Sequence, residues 1–159
     1  MPKVKLDRLD ARILHHIQSN GKISNTELAD KVGLSPSPCL RRVKALEKSG
    51  VIKRYVGILD PAKVGLPINV FTTVSLKNQG RPSLEEFERS IIGFTEIMEC
   101  YLMTGTSDYF LRVSVPDMEG YEQFLLDKIT TIPCVANIES SFSLKQVIYR
   151  TEMPIIPHQ

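Results

Sequence analysis

Apolar residues recur at three- and four-residue intervals through the first fifty positions and at alternate positions through much of the remainder. The chain therefore predicts a helical part followed by a mixed part. Leu6, Leu9, Ile13, Leu14 and Ile17 share one face of a helix expected from about Asp7, a suitable N-cap, to Gly21. A second helix should start at Ser24. Ser24 and Glu27 have the S-x-x-E spacing of a capping box, with Ile23 and Leu28 at the flanking staple positions. Gly33 follows Val32 and can take the left-handed conformation that ends a helix. Ser35 then offers a new N-cap, and Pro36 falls where a missing N–H is harmless.

In the third helix, Cys39, Leu40, Val43 and Leu46 fall on one face. Ser37, Pro38, Arg41, Ala45 and Lys48 fall opposite, with Arg42 and Lys44 on the flanks. Two short helices about a tight turn, the second apolar inside and basic outside, form the pattern of a helix-turn-helix that reads duplex DNA. An ordinary αα-hairpin with a solvated basic face would show the same residues. Residues 51–59 are β-prone and end at Asp60-Pro61, as a wing or a connecting strand would. Lys53 and Arg54 there suit phosphate contacts or the charged edge of a strand.

Beyond Leu66-Pro67, Ile68, Val70, Thr72, Val74 and Leu76 alternate as in a half-buried strand. A helix follows over 83–94, carrying Leu84, Phe87 and Ile91. Two strands over 97–103 and 109–115 are joined by Thr104-Gly105-Thr106-Ser107-Asp108. Asp117 should cap a helix carrying Met118, Tyr121, Phe124, Leu125 and Ile129, which Pro133 ends. A last strand is expected over 138–149, with Ile138, Ser140, Phe142 and Leu144 on one side. The order β-α-β-β-α-β is the ferredoxin-like plait, in which both helices cover one face of the sheet. The other face is expected to carry Phe71, Met98, Cys100, Leu102, Phe110 and Val147, too apolar to stay wet. A second copy would cover it and would present two recognition helices to two half-sites; the N-terminal part or the C-terminal tail could cover it instead.

Charge sharpens this division. Residues 1–66 hold 13 Lys/Arg against 6 Asp/Glu, net +7, whereas residues 67–159 hold 7 against 12, net −5, within a chain of net charge +2. The basic part is the part with the helix-turn-helix, as phosphate neutralisation requires; attraction between the two parts would have the same signature. No apolar run could span a bilayer. Met1-Pro2-Lys3-Val4-Lys5 lacks a secretory apolar segment, so a cytoplasmic protein is expected. Cys39, Cys100 and Cys134 are far apart, no C-x-x-C occurs, and His15, His16 and His158 have no ligand spacing with them. Neither a metal site nor a disulfide framework is indicated. With no activated nucleophile, metal set or phosphate loop, no catalytic residue and no cofactor is expected.

Three stretches resemble the Lrp/AsnC family, the feast/famine regulators. They are Leu6-Asp7-Arg8-Leu9-Asp10-Ala11-Arg12-Ile13-Leu14, Leu34-Ser35-Pro36-Ser37-Pro38-Cys39-Leu40-Arg41-Arg42-Val43 and Thr104-Gly105-Thr106-Ser107-Asp108-Tyr109, with Ser141-Phe142-Ser143-Leu144-Lys145 also similar. The resemblance spans nearly the whole chain. It implies an α+β protein with an N-terminal winged helix-turn-helix domain (1–50), a hinge strand or linker (51–66) and a C-terminal ferredoxin-like, RAM-type domain for ligand sensing and oligomerisation (67–159). It further implies a regulator of transcription that binds double-stranded DNA, responds to an amino acid or related metabolite, and builds dimers into tetramers or octamers. Ser35, Ser37, Pro38, Arg41 and Arg42 match the family's DNA-facing helix, and Lys48 lies on the same side of it. Thr104, Gly105, Thr106, Ser107 and Asp108, with Ser140 nearby, match its effector site; Ser107 stands where many relatives carry an aromatic residue. The alternative is a small-molecule-binding assembly protein with vestigial DNA affinity, against which the two arginines speak.

Overall fold

The computed structural model describes residues 4–156. His158 and the opening Met1-Pro2-Lys3 lie outside the described residues. Contacts divide the chain into two units, one running to Ile58 and resuming at Val147, the other spanning Leu59–Gln146. No helix among the described residues is long and apolar enough to cross a membrane.

The first unit is built on α1 (Arg8–Ser19), α2 (Asn25–Val32) and α3 (Pro36–Lys48). Ile13, Leu14 and Ile17 pack with Leu28, Ala29, Val32, Cys39 and Leu46, with Leu6, Ile23 and Val43 around them. At the start of α1, Asp7 and Asp10 form a full capping box, each carboxylate accepting from the other's backbone N–H. The box expected at α2 is only half formed. Ser24 Oγ accepts from the Glu27 N–H at 3.1 Å, but the Glu27 carboxylate turns to Lys31, 3.7 Å away and one turn on, where it finds a charged partner. Gly33 ends α2 in the left-handed region (φ 72°, ψ 38°). Leu40, expected on the inner face of α3, is 42% exposed, since it lies about 100° round the helix from the buried Cys39.

Residues 51–59 form no ladder, so the expected wing or connecting strand is irregular backbone. A strand needs a hydrogen-bonded neighbour, and none lies alongside among the described residues. Two bonds fix the segment's start instead: the Ile52 N–H donates to the Leu46 carbonyl (3.2 Å), and the Tyr55 hydroxyl donates to Glu47 (2.9 Å). The tail joins this unit through Ile155, which packs on the core. The Gln18 amide donates to the Met153 carbonyl and accepts from the Met153 N–H, imitating a strand neighbour.

The second unit is an antiparallel sheet with helices on one face, the βαββαβ plait. Its strands are β1 (Ile68–Leu76), β2 (Ile97–Leu102), β3 (Tyr109–Val115) and β4 (Val135–Phe142), in spatial order β2-β3-β1-β4. Helix α4 (Arg81–Ile91) supplies Phe87 and Ile91 to the core. Helix α5 (Met118–Phe124), which runs on into a π-helical turn (Leu125–Ile129), supplies Tyr121, Phe124 and Ile129. Opposite them lie Val70, Val74, Tyr109, Leu111, Val113 and Val115, all essentially buried. Asp117 caps α5 as expected, accepting from the Gly120 N–H at 2.7 Å.

Two expectations fail here for local reasons. The last strand ends at Phe142 rather than 149, because β1 runs out: the Ser143 N–H reaches the Asn69 carbonyl, and Pro67 then breaks the ladder. Leu144 is fully exposed, and Val147 lies beyond the sheet. The uncovered face also differs from the expected one. A register shift between Ile97 and Glu99 pairs Cys100 with Leu111 and Leu102 with Tyr109, which puts Cys100 and Leu102 on the helix side. Phe71 and Phe110 remain on the open face, stacked with ring centroids 5.7 Å apart. Beside them Arg112 bonds to Glu99 (2.7 Å) and Asn69 (3.2 Å), so this face is mixed rather than uniformly apolar.

Candidate nucleic-acid interface and ligand loop

The outer face of α3 carries side chains with no other task. Ser37, Arg41, Lys44 and Lys48 are exposed and fall within about 60° of one another at 100° per residue. Among the described residues none of the three cations forms an ion pair. Lys44, placed on a flank by sequence, belongs to this row; the signal was its i+3 spacing from Arg41 and i−4 spacing from Lys48. Pro38 is half-buried at the edge. Ser35 has extended N-cap backbone, but its hydroxyl makes no capping bond and stays exposed. From α2, the Asn25 amide donates to the Pro36 carbonyl (2.9 Å), holding the start of α3 in place.

Arg42 differs from its neighbour. Its Nη1 donates to Asp7 Oδ2 and to Asp10 Oδ1, both at 2.7 Å, and its side chain is 30% exposed. The Asp10 backbone N–H, with Arg42 beside it, holds the Asp7 carboxyl below the ordinary aspartate range, and the two carboxylates in turn raise Arg42. Sequence reasoning missed this contact because it joins residues more than thirty positions apart.

In the second unit the loop after β2 is closed by the Met103 N–H, which donates to the Asp108 carbonyl at 2.8 Å. Thr104, Gly105 and Thr106 are exposed and Ser107 is half-buried. Gly105 has φ 133°, a conformation that side-chain-bearing residues avoid. Asp108 is buried, and its Oδ2 accepts from the Leu76 N–H at 2.7 Å, at the bulge that ends β1. Ser140 is not part of this cluster. It pairs with Thr72, and its exposed side chain meets Tyr121 Oη (2.5 Å), which also meets the buried Thr72 Oγ1 (2.8 Å) on the helix side of the sheet.

A groove of about 440 Å³ lies between α4 and edge strand β2, lined by Glu88, Ile91, Met98, Cys100, Leu102 and Tyr109. The Tyr109 hydroxyl donates to Glu88 (3.0 Å), and burial near Glu88 pushes the Cys100 thiol up to about 11. Burial likewise raises Cys39 and Cys134. Thiols held this far toward the neutral form are poor nucleophiles.

A three-helix unit with an exposed basic third helix, followed in one chain by a βαββαβ unit with a closed glycine loop, is the architecture of a helix-turn-helix DNA-binding protein with a separate second module. Residues 6–53 match the winged helix-turn-helix DNA-binding family, and residues 69–153 match the Lrp/AsnC ligand binding domain. The chain belongs to the Lrp/AsnC family of transcriptional regulators, which are not enzymes. It is 42% identical to the Bkd operon transcriptional regulator of Pseudomonas aeruginosa, over 95% of this chain and 99% of that one. The leucine-responsive regulatory protein of Escherichia coli is 39% identical over 92% of this chain and 89% of its own length. Among solved structures, a transcriptional regulator of Neisseria meningitidis in complex with L-Met superposes with a TM-score of 0.90. It has 37% identity and covers 94% of this chain and 97% of its own.

Proposed function

We propose that the chain is a cytoplasmic, homo-oligomeric regulator of transcription that reads duplex DNA through the outer face of α3. The observation that carries the reading is the row Ser37, Arg41, Lys44 and Lys48, exposed and unengaged among the described residues. Ser35 and Pro38 start that face, and Arg42 lies at its edge. Guanidinium and ammonium groups so placed suit phosphates and guanine edges in a major groove. The proposed domains are 1–50 for DNA, 51–66 for the connection and 67–159 for sensing and assembly. Assembly through a second copy is supported by the stacked Phe71 and Phe110 on the uncovered sheet face. It is also supported by Val56, Ile58, Val147 and Ile148, which are exposed on stretches that pair with no strand. In a mobility-shift assay with duplexes selected by the wild-type chain, R41A/K44A/K48A should abolish the shift while leaving helicity and oligomer size unchanged. Undiminished affinity overturns the assignment.

An amino acid or related metabolite is the proposed effector, with Thr104, Gly105, Thr106, Ser107 and Asp108 as its loop and Ser140 contributing at most through the sheet. Support comes from the exposed backbone at Gly105, which suits a carboxylate, and from the similar regulator solved with L-Met. One of the twenty amino acids should raise the melting temperature, and D108N, which keeps an acceptor for the Leu76 N–H, should remove that rise. A panel without any shift overturns this effector class.

A further inference from the structure

We infer that Arg42 is a positioning residue for the recognition helix: its guanidinium fixes α3 against the start of α1 through Asp7 and Asp10, and does not itself bind DNA. The inference rests on the DNA-reading role proposed for α3. Four carboxylate oxygens meet in this cluster, and each has one partner. Asp7 Oδ1 takes the Asp10 N–H (2.8 Å), Asp10 Oδ2 takes the Asp7 N–H (3.2 Å), and the remaining two take Arg42 Nη1. The helix start and the clamp are one closed network, so Nη1 cannot reach a phosphate without breaking two charge-assisted bonds. Because the two carboxylates belong to the N-cap and the first turn of α1, locked together by the capping box, the angle of α3 is set by a rigid helix start rather than by a free loop.

Electrostatics and positioning predict opposite results for one variant. Asp7→Asn with Asp10→Asn removes two negative charges and frees the Arg42 cation, while asparagine still caps the helix. If Arg42 were a DNA contact, D7N/D10N would bind as tightly as the wild type or tighter. As a positioning residue, its release should weaken binding at least tenfold. The probe is a fluorescein-labelled duplex selected by the wild-type chain from a randomised pool, read by anisotropy across a KCl series and with thermal melts of each variant. R42Q should show the same loss, and R42Q/D7N/D10N should lie within threefold of it, since all three break one device. R42K should stay within threefold of the wild type, because a single nitrogen makes both bonds. The slope of log affinity against log salt should fall by about 0.9 for R41Q and stay unchanged for D7N/D10N.

Tighter binding by D7N/D10N overturns the inference, as does a slope loss in R42Q equal to that in R41Q. A fall in melting temperature with unchanged affinity below the melt also overturns it, since the clamp would then act on stability alone. Should R42Q not fold, D7N/D10N and R42K carry the decision. A folded wild-type chain that selects no duplex overturns the DNA reading itself, before any variant is compared.

Discussion

The outer face of α3 and the loop at 104–108 are both sites picked out by residue type, yet the fold treats them in opposite ways. On α3, Ser37, Arg41, Lys44 and Lys48 have no partners among the described residues, and their chemistry is free for a ligand. In the second unit the two most functional-looking groups are already engaged, Asp108 by the Leu76 N–H and Ser140 by Tyr121. A helix carried on a three-helix core can leave its far side idle. A loop that closes a hairpin onto a neighbouring strand must first satisfy that strand's backbone. Arg41 and Arg42 repeat the contrast one residue apart.

Stability should separate the two regions most widely. Asp108→Ala leaves the buried Leu76 N–H without its charged acceptor and should cost about 1.5–3 kcal/mol, whereas Arg41→Ala should lie within about 0.5 kcal/mol of the wild type. Urea unfolding followed by circular dichroism measures both. A neutral D108A would mean that the carboxylate is as free as the α3 cations, and the comparison would fail.

Much of this was legible in the sequence. Periodicity and capping chemistry located the helices and the four strands of the described residues, because Asp7, Ser24, Gly33, Pro36 and Asp117 act within a few residues of themselves. What failed depended on distant chain. The end of β4 was set by Pro67, just ahead of the neighbouring β1, and the side on which Cys100 and Leu102 lie was set by a bulge that period-two counting steps over. The α3 row was legible because it is a matter of helical angle alone. The commitments of Arg42, Asp108 and Ser140 were not, since each is made with an element more than thirty residues away or across the sheet–helix interface.

A smaller effect tests whether Ser140 serves the fold. Tyr121→Phe removes the hydroxyl that joins Thr72 and Ser140, leaving the fully buried Thr72 Oγ1 without its partner. A loss of about 1 kcal/mol is expected. Ser140→Ala should cost less, since Tyr121 keeps Thr72. If S140A instead abolished an amino-acid-dependent melting shift without changing stability, Ser140 would belong with the free groups.

Acidification should show the smallest effect, and it falls on the clamped side of the first unit. Burial, followed by the neighbouring His15, Lys31 and Arg12 charges, holds His16 below its ordinary value of 6.5, and the Asp10 N–H with Arg42 holds Asp7 below 3.8. In both cases the unfolded chain takes up its proton at higher pH than the folded one. Stability contributed by each group is therefore complete above the ordinary value and is lost as pH falls through the folded one. Urea midpoints of the first unit should decline gently below about pH 6.5 and again below about pH 4, the ordinary His and Asp ranges. His16→Gln should flatten the upper decline and Asp7→Asn the lower. Because Asp7 is half exposed, salt should shrink its share, whereas the packing of α1 on α2 and α3 is apolar and indifferent to salt. A lower decline that persists undiminished in D7N would place the acid-sensitive contact elsewhere and remove Asp7 from the clamp.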